Sequence, residues 1–163
     1  MGNSNFVVVT DRGGHLHDAL RLIEQMAVPP VALLTTVGPD VDYLKTNFKD
    51  SEVVSFPQAF SWWGKQRFFN PALFILQIGI VGRTAWRLKP QAVVSTGASG
   101  VVLFCYFAWA LGAKIYHVEN LAQVVNPSIT GKMLYPICTN LYVQWNELLQ
   151  RFGPKARYEG WVL

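Results

Sequence analysis

From Val53 to Val118 the sequence contains no acidic residue, although the 163-residue chain carries 10 Asp and Glu. Seven of those acids, Asp11, Asp18, Glu24, Asp40, Asp42, Asp50 and Glu52, crowd the first third. Charge is scarce overall, 15% of residues, against roughly 25% in an average soluble domain. With 51% hydrophobic residues and 6 Trp, 6 Tyr and 10 Phe, so little charge excludes a disordered chain. Cysteine is nearly absent. Cys105 and Cys138 stand alone in apolar runs, too few for a disulfide framework, which fits a reducing compartment. The bases form no run and the net charge is only +4, so no nucleic-acid partner is expected. His15, His17 and His117 have no ligand spacing to one another or to the cysteines, so no metal is expected. A P-loop, a Ser nucleophile elbow and a full G-x-G-x-x-G are also missing, and no cofactor is expected.

Long hydrophobic runs are lacking too. Residues 68–82 are free of charge but shorter than the roughly 18–20 residues a span requires. Residues 90–113 are long enough, yet Ser95-Thr96-Gly97-Ala98-Ser99-Gly100 interrupts them and reads as a strand, a glycine loop and a helix. The start has no n-region and h-region, and Phe6 stands where a myristoylation motif needs Ser or Thr. Peripheral attachment rather than spanning is the expectation.

What is present is an alternation. Short β-branched runs at Asn5–Thr10, Val31–Thr36, Glu52–Phe56, Ala92–Thr96 and Lys114–Val118 read as strands. Leu16, Leu20, Ile23 and Ala27 repeat at helical spacing up to Pro29-Pro30. A long helix is predicted over Asn70–Leu88, with Pro71 in its first turn, and another over Val101–Leu111, closed by Gly112. Pro127–Ile137 and Gln144–Arg151 read as helical, Leu141–Val143 as a short strand, and Gly153–Leu163 as irregular. Strands alternating with helices predict an α/β fold with a doubly wound parallel sheet and helices on both faces. Such sheets bind ligands at the carboxyl ends of their strands.

Three loops lie at such ends. Thr10-Asp11-Arg12-Gly13-Gly14-His15 joins a strand to a helix start, where glycines let a ligand approach the backbone. His15 there sits at the positive end of the helix dipole, which keeps the ring neutral and suits a general base. The plainer alternative is a polar residue that merely begins a helix. Ser95–Gly100 is a second small-residue loop, able to cradle a phosphate or simply to let helix and strand pack. In His117-Val118-Glu119-Asn120, Glu119 is the lone acid between Val53 and Asn146, either a site residue or a solvated charge. A fourth segment, Phe60–Arg87, mixes Trp62, Trp63, Phe68, Phe69, Phe74 and Trp86 with Lys65, Arg67, Arg83 and Arg87. It fits an interfacial element facing anionic lipid, or a core helix flanked by a partner surface.

The order Gly13-Gly14-His15, Ser95-Thr96-Gly97-Ala98, Tyr116-His117-Val118-Glu119-Asn120 resembles the acceptor-side half of GT-B glycosyltransferases related to the lipid II N-acetylglucosaminyltransferase. The run from Asn126 through Pro127-Ser128-Ile129-Thr130-Gly131-Lys132 to Pro136, followed by Val143-Gln144-Trp145-Asn146-Glu147, is similar to the bacterial PssD/CpsF polysaccharide-biosynthesis family. That family is related to the membrane-side subunit of the eukaryotic dolichol-linked UDP-GlcNAc transferase.

The resemblance implies a Rossmann-like, N-terminal-type GT-B half-domain over residues 1–163, with 60–88 facing membrane or partner. It implies one subunit of a two-component inverting enzyme that transfers a sugar to an undecaprenyl-diphosphate-linked saccharide. The partner would be a donor-binding, C-terminal-type GT-B subunit holding most of the nucleotide sugar. The complex would lie on the cytoplasmic face of a bacterial inner membrane. The eukaryotic branch has an N-terminal anchor, and a first strand starting at Asn5 favours the bacterial one.

By position, His15 and Glu119 become the catalytic candidates. Gly13, Gly14, Thr96, Gly97, Ser99, Gly100 and Asn120 become acceptor and diphosphate candidates. Trp62, Trp63, Lys65, Arg67, Phe68, Phe69, Arg83 and Arg87 become the membrane-facing set. The rival expectation is a non-catalytic membrane scaffold that recruits and activates the catalytic subunit. A soluble nucleotide-binding module unrelated to lipid is a further rival.

Overall fold

The computed structural model describes residues 5–63 and 66–161, without the side chains of residues 61–63, 66, 67 and 99. The first strand, β1 (Phe6–Val9), shows how the core is divided. Its side chains alternate across the sheet, so Val7 and Val9 enter one hydrophobic layer and Val8 the other. Around it run β2 (Ala32–Thr36), β3 (Glu52–Phe56), β6 (Ala92–Ser95), β7 (Lys114–Val118), β8 (Cys138–Val143) and β9 (Ala156–Tyr158). These seven form one parallel sheet in the order β3-β2-β1-β6-β7-β8-β9.

Helices α1 (Gly14–Gln25) and α2 (Asp40–Asn47) cover one face. Leu16, Ala19, Ile23 and Leu44 pack there with Val8 and Leu33. Helices α3 (Pro71–Leu88), α4 (Ser99–Ala110) and α5 (Ile129–Leu134) cover the other face. Val81, Ala85, Val101, Phe104, Ala108 and Leu134 meet Val7, Val9, Leu34 and Val93 in that layer. The sheet buried on both sides explains why its strands read as continuous apolar runs. The predicted fold class is the observed one.

Several local expectations change. Residues 40–47 form α2, a helix anchored by only Val41 and Leu44, too few apolar positions to show a period. The aromatic stretch before α3 is an antiparallel hairpin of β4 (Phe60–Trp63) and β5 (Gln66–Phe69). Strand β8 has six residues instead of three, since Cys138 and Asn140 already pair with Ile115 and Tyr116 of β7. The tail contains β9, which pairs with β8 at the sheet edge. The expected helix over 127–137 shrinks to α5. The one over 144–151 becomes a 3-10 turn, Asn146–Leu148, followed by α6 (Leu149–Phe152).

Candidate functional site

The chain leaves β1 toward β2 and β3, then returns to β6 on the opposite side of β1 and continues to β7. β1 and β6 are neighbours, so their carboxyl ends form the switch point where doubly wound sheets open a crevice. Helix α1 departs from one and α4 from the other, on opposite faces of the sheet. Neither helix start has a side-chain cap or an acidic first turn. Among the described residues no side chain therefore competes with an anion at either start, although the Val101 N–H of α4 lies 3.4 Å from the Ala98 carbonyl oxygen. Gly13 enters α1 at φ 69, and Gly97 precedes α4 at φ 112. Ala98 adopts φ 74 and ψ 160, a region essentially reserved for glycine, which stores about 1–3 kcal/mol at the mouth of the crevice.

His15 is half-buried on the first turn of α1, and its Nδ1 lies 2.9 Å from the carbonyl oxygen of Thr96. A carbonyl only accepts, so Nδ1 carries the proton, and this contact selects the tautomer whose lone pair is on Nε2. The buried Thr96 hydroxyl donates to the His15 carbonyl at 2.9 Å and sits 2.8 Å from the Thr10 hydroxyl. A Cβ on Gly97 would stand 3.0 Å from His15 Nδ1 and Cε1. The glycine is thus needed for its backbone angle and for the ring beside it. A cleft of about 530 Å³ opens here, with His15, Asp11, Gln58, Ala98, Ser128 and Thr130 in its wall. Asp11 is held by the Thr36 hydroxyl and by the Arg12 N–H. Asp11 and Ser128 lie within the quoted motifs yet were not among the candidates. Gln58, on the segment before β4, has no local signal at all.

The remaining candidates divide. Glu119 is 1% exposed and does not line the cleft. Burial raises its carboxyl above the ordinary range, opposed by hydrogen bonds from Ser128 and Asn120 and by His15. Its Oε2 has no hydrogen-bond partner among the described residues, and a Cβ on Gly131 would collide with that atom. Glu119 therefore holds the 128–131 turn from behind. Its carboxyl lies behind the residues that line the cleft, a place that suits a positioning role.

The Asn120 amide has a partner at each end. Its Nδ2 donates to Asp18 Oδ2 and its Oδ1 accepts from the Ala122 N–H, both at 2.9 Å. Asp18, raised by burial and eased by the Leu121 N–H, clamps this loop to α1. Gly100 faces inward, where a Cβ would meet Phe56 at 2.7 Å and the Gln77 amide at 3.3 Å. Packing accounts for that glycine. His117 is fully buried, 3.3 Å from Ser95 Oγ, and burial pushes its pKa down to about 4.

Among the membrane-facing candidates, Phe68 and Phe69 are 54% and 52% exposed and Arg83 is exposed. Arg87 is also exposed, and its Nη1 pairs with Glu52 Oε2 on β3 at 2.8 Å. Lys65 and the side chains of Trp62, Trp63, Arg67 and Ser99 lie outside the described residues. The structure adds Ile75, Leu76 and Trp86, which make the outer face of α3 apolar. Among the described residues no helix is long and apolar enough to cross a membrane.

A family model described as "Oligosaccharide biosynthesis protein Alg14 like" matches residues 71–162, which include α3, α4, the Glu119 loop and α5. The chain belongs to the Alg14-like family. A relative of this Alg14-like chain, the "UDP-N-acetylglucosamine transferase subunit ALG14" of Yarrowia lipolytica, is 27% identical over 176 residues. That match covers 97% of the chain and 81% of the relative. The subunit of the same name from Kluyveromyces lactis is 43% identical over 58 residues, 36% of the chain and 24% of the relative. Acinetobacter baumannii MurG superposes on the Alg14-like chain with a TM-score of 0.71 at 17% identity. That superposition covers 96% of this chain and 45% of MurG. The UDP-N-acetylglucosamine 2-epimerase of Rickettsia bellii gives 0.65 at 13% identity, again over 45% of its length. The Alg14-like chain thus has the fold of one GT-B half-domain and spans less than half of these solved structures.

Proposed function

We propose that this Alg14-like chain is the acceptor-binding, membrane-side subunit of a two-part inverting glycosyltransferase, with a partner subunit supplying the nucleotide-sugar half. The carrying observation is His15, whose Nδ1 is committed to the Thr96 carbonyl, leaving Nε2 as a base beside a cleft. The relatives' name, transferase subunit, supports a divided enzyme, as does a fold spanning 45% of MurG.

In this reading the acceptor hydroxyl gives its proton to His15 Nε2 while its oxygen attacks the anomeric carbon. The bond from that carbon to the nucleoside diphosphate breaks, and the configuration inverts. The imidazolium formed is stabilised by the Nδ1–H bond to Thr96. The uncapped first turns of α1 and α4, around Gly13, Gly14 and Gly97, hold the acceptor diphosphate. The outer face of α3 with Phe68, Phe69 and Arg83 rests on the membrane as a peripheral surface.

The sugar is N-acetylglucosamine from UDP, on the strength of the relatives' name. The carrier is a polyprenyl diphosphate. The fungal relatives favour a dolichol-type carrier, and the bacterial form with undecaprenyl diphosphate on an inner membrane is the alternative version of the proposal. The test is transfer by the chain co-purified with its partner, using both carriers. His15→Ala should lower the rate about 10²–10⁴-fold. Full activity in that variant would remove the base and leave the scaffold reading.

A further inference from the structure

We propose that an exposed apolar line, from the cleft across α5 onto α4, seats the isoprenoid tail of the acceptor. This rests on the proposed function and adds a hydrocarbon subsite to it. The cleft wall includes Ile129 and Met133, 61% and 48% exposed. They stand four residues apart on α5 and share one side of that helix. Beside Met133 comes α4, where the Tyr106 hydroxyl donates to the Met133 carbonyl oxygen at 2.9 Å. Tyr106 meets Trp109 edge to face, ring centroids 6.4 Å apart. These two rings, with Leu103, Phe107 and Ala110, line an open apolar recess of about 290 Å³ on the surface of α4. The Tyr106–Met133 contact thus ties the helix that carries the recess to a residue of the cleft wall, and it occupies the hydroxyl of Tyr106.

The ligand class follows from the two ends of the line. Its start lies at the cleft beside two uncapped helix N-termini, which suit a diphosphate. Its far end is a hydrocarbon-lined recess on an open helix face. A molecule anionic at its head and apolar along a narrow path is an isoprenyl diphosphate. The broader apolar face of α3, with Ile75, Leu76 and Trp86, suits a bilayer surface instead.

The full chain is titrated calorimetrically with inorganic diphosphate and with geranylgeranyl diphosphate below its micellar concentration. The prenyl compound should bind about tenfold more tightly or better, the gain coming from apolar burial. Trp109→Ser should abolish most of that gain and leave the affinity for inorganic diphosphate as it was. Ala110→Asp, which places a carboxylate in the recess from an exposed position, should do the same and guards against a misfolded Trp109 variant. Equal affinity for the two compounds in the unaltered chain overturns the tail subsite alone. So does a gain that survives both substitutions, or one lost only in Ile75→Asp with Leu76→Asp. Failure of either compound to bind overturns the acceptor reading itself, and this inference with it.

Discussion

The ring of His15 is fixed by the carbonyl oxygen of Thr96, 2.9 Å from Nδ1 and 81 positions away in the chain. The Thr96 side chain returns the contact, donating to the His15 carbonyl. Each residue thus holds the other's backbone or ring, and the first turn of α1 is locked to the end of β6. This reciprocal pair sets the tautomer that the proposed base requires.

Thr96→Val keeps the shape of the side chain but removes its hydroxyl, so the His15 carbonyl loses this donor and the Thr10 hydroxyl keeps only its bond to the Asp11 carbonyl. The unfolding free energy in urea should fall by about 1–3 kcal/mol. Transfer should fall less than in His15→Ala, because the carbonyl that orients the ring remains. A stability equal to the unaltered chain would show that the pair carries no load.

Glu119 should make the chain less stable as pH rises. Its carboxyl is raised by burial above the ordinary 4.5, so the folded chain keeps a proton the unfolded chain has released. Its stabilising contribution is therefore full below pH 4.5 and declines until the raised folded value is passed. Glu119→Gln should lack that decline, read as the difference between two urea-unfolding series across pH. It should also retain transfer, because a positioning residue needs its hydrogen bonds rather than its charge. A rate loss as large as that of His15→Ala would return Glu119 to the reacting centre.

His117 should act in the opposite sense. Burial lowers its pKa from 6.5 to about 4, so between those values the unfolded chain takes up a proton that the folded chain refuses. Stability is lost as pH falls through that window, by about 3 kcal/mol at most. NMR of the ring should find His117 neutral at pH 5, and His117→Gln should flatten this part of the profile. A protonated ring at pH 5 would contradict the buried environment.

Ile75→Asp with Leu76→Asp, both on the exposed side of α3, should release the chain from anionic vesicles in flotation. Arg83→Glu should weaken flotation, and added salt should recover part of it by screening the new carboxylate from the anionic surface. Arg87→Ala should have a smaller effect on flotation, since Arg87 already answers Glu52. Unchanged flotation of the double variant would move the membrane surface elsewhere.

Much of the fold was legible because its signals are local. The runs at Asn5–Thr10 and Ala92–Thr96 announce strands, and Pro71 and Gly112 mark helix ends within a turn of where they fall. Helix α2 and strand β9 escaped because each is short and carries few apolar anchors. The cleft was legible in part. Gly13, His15 and Gly97 sit at strand ends, and a parallel sheet brings strand ends together. Gln58 was invisible, because its place in the cleft wall comes from chain folding rather than from any neighbour in sequence.

The sequence by itself determined the alternation of strand and helix, the glycine loops after two strands, and the acid-free aromatic middle. All of these depend on residues adjacent in the chain. Only the tertiary structure decided what the polar side chains face. Glu119 lies behind the cleft wall, Asn120 is bound to Asp18 across 102 positions, and Arg87 is paired with Glu52 across 35. Burial and charge compensation are set by strand order and by what packs on each face, which no local pattern encodes.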